Sequence, residues 1–147
     1  MKQTQAFLST YTADVSGVCS ALFELGGMSV MHDASGCNST YNTHDEPRWY
    51  DMDSLVYISG LSELEAVMGD DEKLISDVSD AARQLHPRFI ALAGTPIPMI
   101  TGCDLPAIAR EVEGRTKIPS FAVPSNGIGT YVAGAGQALR LYAERFI

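Results

Sequence analysis

A cysteine directly after a strand-like apolar run is the arrangement in this chain best suited to chemistry. In Met28-Ser29-Val30-Met31-His32-Asp33-Ala34-Ser35-Gly36-Cys37-Asn38 the apolar run ends in a polar turn, and Cys37 follows where the chain re-enters a helix. Free N–H groups and the positive end of the dipole at a helix N-terminus stabilise a thiolate, the form that ligates metals or attacks electrophiles. The competing reading makes Cys37 a small buried hydrophobe, as most free cysteines are. Of the three histidines only His32 lies beside it; His44 and His86 are dispersed, and His86 before Pro87 reads as a helix-end residue. Cys19 falls on a helical stripe and Cys103 at a helix start, and both read as structural. Asp14 reads most simply as a helix N-cap.

Other chemistries lack their signatures. Gly129-Thr130-Tyr131-Val132-Ala133-Gly134-Ala135-Gly136 is glycine-rich and opens a helix, but it has neither GxGxxG in register nor a Walker lysine, so close helix packing is the better reading. No GxSxG-type nucleophile elbow is present. The formal net charge of −8 speaks against binding a nucleic-acid backbone. Three widely spaced cysteines make neither a disulfide framework nor a self-contained four-cysteine metal site, so any metal needs ligands from elsewhere. Glu46, Arg48, Trp49 and Tyr50 form a charged and aromatic loop cluster that suits a contact surface. No apolar run is long enough for a membrane helix, and the N-terminal residues lack a secretory signal, so the expectation is a cytoplasmic protein.

The elements that must position Cys37 follow from periodicity. Asp14 or Ser16 caps a helix running to Leu25, with Val18, Leu22 and Leu25 on one stripe, and Gly26-Gly27 releases the chain into a strand over Met28 to His32. A short helix after Cys37 runs through Thr40 and Tyr41 and is broken at Pro47. Ser54 to Ile58 is a second strand, of the apolar kind buried on both faces of a parallel sheet. Ser62 to Met68 and Asp70 to Leu85 are helices, the longer one striped by Leu74, Ile75, Val78, Ala82 and Leu85. Arg88 to Ala93 is a third strand, followed by a stiff Gly94-Thr95-Pro96-Ile97-Pro98 loop on the same edge as Cys37. A helix from Asp104 to Glu113, a fourth strand from Ile118 to Val123, a turn at Asn126 to Gly129 and a helix from Gly134 to Phe146 complete the order. Pro119 suits an edge or strand-start position. Alternating strands and helices predict an α/β, Rossmann-like three-layer α/β/α domain with a mostly parallel sheet of about four strands, residues 1–147 forming one domain.

With these elements in place, the run from Gly17 to about Gly136 resembles the N-terminal Rossmann-like domain of the nitrogenase component 1 family. The resemblance rests on order and spacing across Gly17-Val18-Cys19-Ser20-Ala21-Leu22, His32-Asp33-Ala34-Ser35-Gly36-Cys37, Ser62 to Asp70, and Phe89 to Thr95 followed by Ile100-Thr101-Gly102-Cys103-Asp104-Leu105. In that family a His-Gly-x-x-Gly-Cys turn contributes a cysteine to an iron–sulfur cluster at a subunit interface. The resemblance implies Cys37 as a metal ligand, with His32 and Gly36 beside the cofactor, although Asp33 stands where the family has its first glycine. Asp14 and Pro96 are nearest to two further family cysteines. Proline cannot ligate, and the resemblance leaves Asp14 a place as an oxygen donor.

The implied function is a domain of a nitrogenase-like oxidoreductase subunit. It would receive electrons from an ATP-dependent iron–sulfur reductase through a [4Fe-4S] cluster shared with a second component 1-like subunit or a second copy of itself. The alternative is a non-catalytic binding or assembly module that kept the fold and lost the cluster. Family subunits have three such domains and this chain resembles only the first, so it is not expected to be catalytic alone.

Overall fold

The computed structural model describes residues 13–34, 38, 41 and 46–147. Four short strands, β1 (Met28–Met31), β2 (Leu55–Ile58), β3 (Ile90–Ala93) and β4 (Ser120–Val123), form one all-parallel sheet in the order β2-β1-β3-β4. Met28 is level with Leu55 on one side and Ile90 on the other, and Ile90 is in turn level with Ser120. The helices are α1 (Asp14–Leu22), α2 (Glu63–Met68), α3 (Asp71–Leu85), α4 (Pro96–Thr101), α5 (Leu105–Thr116) and α6 (Tyr131–Phe146), with a 3-10 turn at Pro47–Tyr50.

The two-residue period of the strands divides the core into two layers. Met31, Ala91, Ala93 and Val123 face Val15, Val18, Cys19 and Leu22 of α1 and Ala138 of α6. Met28, Val30, Ile90 and Leu92 face Leu74, Ile75, Val78 and Ala82 of α3 and Ile108 and Val112 of α5. The expected three-layer α/β/α architecture is therefore present, built on the central strands β1 and β3, whose residues are all buried. β2 departs from expectation: its apolar run lies at a sheet edge, Tyr57 is exposed, and only Val56 is buried. An apolar run cannot by itself tell a central strand from an edge one. Pro119 immediately precedes β4, the other edge, as its missing N–H demands.

Several boundaries shift for local reasons. The Gly94 to Pro98 stretch is not a loop beyond Thr95, because Pro96 and Pro98 sit in the first turn of α4, where the backbone N–H has no intrahelical partner to lose. Helix α6 begins at Tyr131 rather than Gly134, since the Thr130 hydroxyl accepts from the Ala133 N–H and caps it earlier. Helix α1 stops at Leu22, and Asp14 is its first residue; Ala13 holds the N-cap position. The expected helix through Thr40 lies mostly outside the described residues.

Within the Glu46 to Tyr50 cluster, expected to be a contact surface, Glu46 is buried and Arg48 and Trp49 pack against α1 and the residues after it, while Tyr50 stays exposed. The Arg48 guanidinium donates to both Glu46 oxygens at 2.7 Å, to Glu24 at 2.9 Å and to the Ser20 carbonyl at 2.8 Å. It also lies 4.5 Å from the Phe23 ring centroid, with Trp49 edge-on to the same ring. The Arg48 bonds hold the Glu46 carboxyl below its usual range against the opposing effect of burial. Only Tyr50 of the cluster is strongly exposed.

Candidate functional site at the carboxyl edge of the sheet

Chain order places the candidate site. From β1 the chain crosses to β2 on one side and then returns past β1 to β3 on the other, so the crevice between the carboxyl ends of β1 and β3 is the switch point where open α/β sheets bind ligands. His32 and Asp33 leave β1 there, and Gly94 and Thr95 leave β3. The two exits are tied together: the His32 N–H donates to the Ala93 carbonyl at 3.0 Å, and the Thr95 hydroxyl donates to the His32 carbonyl at 2.8 Å. On either side, the Ser59 N–H donates to Met31 O and the Ser125 hydroxyl to Gly94 O.

Asp14 reaches this edge from the start of α1. One carboxylate oxygen accepts from the Gly127 N–H at 2.7 Å and from its neighbour Val15 at 2.8 Å; the other accepts from the Asn126 N–H at 3.0 Å. The loop after β4 is therefore wrapped around a buried carboxylate. Gly127, at φ +74, packs so closely on Pro96 that a Cβ there would lie 2.6 Å from the proline ring, and a Cβ on Gly129 would meet Asp14 at 2.8 Å. Asp14 and Pro96, far apart in the chain, are thus joined through a single residue.

His32 is 6% exposed. Its Nδ1 is 2.9 Å from the Ser59 hydroxyl, which also accepts from the Asp33 N–H at 3.1 Å. Burial pushes the imidazole pKa below 6.5, opposed by the nearby Asp71, Asp33 and Glu65 carboxylates, so the ring is neutral at neutral pH. It borders a cleft of about 250 Å³ that also touches Glu65, Asp71, Thr101 and Cys103. Cys103 lies 3.7 Å from Asp71, and burial together with that carboxylate pushes its thiol pKa up to about 12. Cys19, enclosed under α1, is likewise raised to about 12 by burial. Neither thiol ionises near neutral pH, which agrees with a structural reading of both.

Of the residues singled out in the sequence, Asp14, His32 and Pro96 converge on one edge, while Gly36 and Cys37 lie outside the described residues. Among the described residues no group of three His, Cys, Asp or Glu side chains is arranged to hold a metal ion. Asp14 has both oxygens committed to backbone N–H groups, and Pro96 carries no donor atom. The described residues therefore do not fit an iron–sulfur cluster. Ser59, Thr95 and Asn126 were not expected as site residues, although Thr95 was expected in the loop after the third strand and Asn126 in the turn after the fourth.

The same edge is apolar on its outer side. Helix α2 packs against α4, and together they expose Leu64 at 71%, Val67 at 78%, Met68 at 73% and Ile100 at 79%. Among the described residues, no helix is long and apolar enough to cross a membrane.

Comparison with known proteins accounts for this architecture. Residues 14–147 match the family model described as nitrogenase component 1 type oxidoreductase. The chain is 25% identical over 121 residues to the nitrogenase molybdenum-iron protein beta chain of Bradyrhizobium diazoefficiens, an alignment covering 79% of this chain and 23% of that one. Two solved structures described as nitrogenase Cp1, at pH 5 and at pH 6.5, superpose with TM-scores of 0.77 and 0.72 at 19% identity. They cover 95% and 90% of this chain but 30% and 28% of their own. The chain spans under a third of the length of these relatives. It belongs to the nitrogenase component 1 type oxidoreductase family.

Proposed function

We propose that residues 1–147 act as one Rossmann-like docking domain, equivalent to the first domain of a component 1 subunit, which associates through its carboxyl edge with a second component 1-like chain. The observation that carries this reading is the cluster of exposed apolar side chains on α2 and α4 beside the switch point. Apolar side chains exposed on two packed helices favour a contact site, because leaving them in water forgoes about 25 cal/mol per Å². A cytoplasmic setting fits the free thiols of Cys19 and Cys103. In this reading the chain is a binding or assembly module: Asp14 serves as a clamp for the loop after β4, and no complete metal site is its own.

The second reading keeps the electron-transfer role, with electrons passing from an ATP-dependent iron–sulfur reductase to a [4Fe-4S] cluster held in part by Cys37. What favours it is the family match over residues 14–147, together with the position of Cys37 in the chain, four residues after Asp33, which leaves β1 at the switch point. Anaerobic reconstitution with iron and sulfide separates the two. The docking reading expects a colourless protein without acid-labile sulfide. Cluster absorption that disappears in Cys37→Ala would overturn it in favour of electron transfer.

A further inference from the structure

The outer edge of β4 has a hydrogen-bonding and charge pattern that the docking face does not use. In the register Ile90 to Ser120, the Ile90 N–H donates to Pro119 O, so by the parallel ladder the polar backbone groups of Phe121 face β3. The Ser120 and Ala122 groups then point away from the sheet. The Ser120 N–H is taken by the Glu113 carboxylate at 2.9 Å, whereas Ala122 N–H and C=O meet no neighbouring strand among the described residues.

Two depressions flank this edge. At its carboxyl end a cleft of about 490 Å³ is walled by Leu105, Pro106, Ala122, Pro124 and Leu141. At its amino end lies a second, lined by Arg110, Glu113, Lys117, Ser120 and Arg145. Three cations there surround one carboxylate, a local surplus of two positive charges on a chain of net charge −8. Glu113 is held by Arg145, Lys117 bonds the Gly114 carbonyl, and Arg110 pairs with no carboxylate among the described residues.

We infer that the β4 edge binds an extended peptide segment that carries an acidic side chain at one end and an apolar one at the other. The backbone of such a segment would pair with Ala122, its apolar side chain would enter the Leu105–Leu141 cleft, and its carboxylate would sit among Arg110, Lys117 and Arg145. A strand residue spans about 3.3 Å, so four or five residues cover both depressions. A second copy of this chain fits less well: antiparallel pairing of two β4 edges would set each basic end against the partner copy's Arg140, whose charge is already balanced by Glu144. The inference concerns a different edge from the docking reading, and either can fail without the other.

Fluorescence anisotropy at low salt with labelled, end-blocked Asp-Glu-Thr-Val-Leu and with the reversed sequence tests it. Saturable binding by either order is expected, about fivefold weaker with Arg110→Glu and about tenfold weaker with Ala122→Pro, which removes the central donor. Arg110 is exposed, so its variant keeps the test valid if the proline variant does not fold. Flat titrations with both peptides, or binding unchanged by Arg110→Glu, would overturn the inference. So would a concentration-dependent dimer in sedimentation velocity that Arg110→Glu dissociates, which would assign the edge to a second copy.

Discussion

Asp14 is the side chain on which the carboxyl edge turns, since one carboxylate holds the Asn126 and Gly127 amides that bring the loop after β4 against Pro96. Removing it leaves buried donors unmatched, at a cost of about 1–3 kcal/mol for each one that water cannot reach. Asp14→Ala is therefore expected to lower unfolding stability by roughly 2–4 kcal/mol in urea titrations, and Asp14→Asn, which retains one acceptor oxygen, by less. His32 makes a pH-dependent contribution of definite sign. Its folded pKa lies below the unfolded 6.5, so the unfolded chain binds the proton first, and stability falls as pH drops below about 6.5. Urea midpoints measured between pH 7.5 and 5.5 should show that fall, reduced in His32→Gln. The raised thiol pKa values of Cys19 and Cys103 predict slow alkylation of both at pH 8 in the native protein. Any fast-reacting thiol would then be Cys37, as peptide mapping after iodoacetamide treatment would report.

At the scale of elements, the α1–α6 contact sets where the edge lies. A Cβ on Gly17 would come within 2.0 Å of the Tyr131 carbonyl, and one on Gly134 within 2.0 Å of the Asp14 carbonyl. Backbone meets backbone at both points, so neither clash can be relieved by moving a side chain. Gly134→Ala should cost about 1–3 kcal/mol by forcing the helices apart. Gly136, two residues on, has nothing within 4 Å of its would-be Cβ. Gly136→Ala should instead raise stability by about 0.5–1 kcal/mol through helix propensity. The pair of thermal melts distinguishes close packing from a general need for glycine in this helix. Within the Gly129 to Gly136 run, Gly129 and Gly134 thus serve close packing on Asp14, whereas Gly136 does not.

For the molecule as a whole, three side chains on α2 and one on α4 give the carboxyl edge an apolar surface next to the switch point. If that surface docks a second component 1-like chain, Ile100→Asp and Met68→Asp should abolish association in sedimentation velocity while leaving the far-UV dichroism unchanged. Both side chains are exposed, so neither variant removes core packing. The parallel sheet explains why such a surface gathers at one edge: every strand ends there, and α2 and α4 follow β2 and β3 directly. Unaltered association in both variants would leave the exposed apolar residues without a role in docking.

The sequence alone determined the strand and helix order, because burial periods of two and of three to four residues are local properties of the chain. Arg88 to Ala93 and the Leu74, Ile75, Val78, Ala82 stripe were legible for that reason, and so was the family, through motifs whose spacing reflects the fold. Only the tertiary structure decided that β2 is an edge strand, that Arg48 turns inward onto Glu46, and that Asp14 spends its carboxylate on residues 126 and 127. Each of these depends on partners more than 20 positions away or on which neighbour covers a face; Glu46 is local to Arg48, but the other partners of Arg48, the Ser20 carbonyl, Glu24 and the Phe23 ring, are not. The convergence of Asp14, His32 and Pro96 is of the same kind: a parallel sheet brings distant strand ends to one rim, and no local pattern records which side chains will meet there.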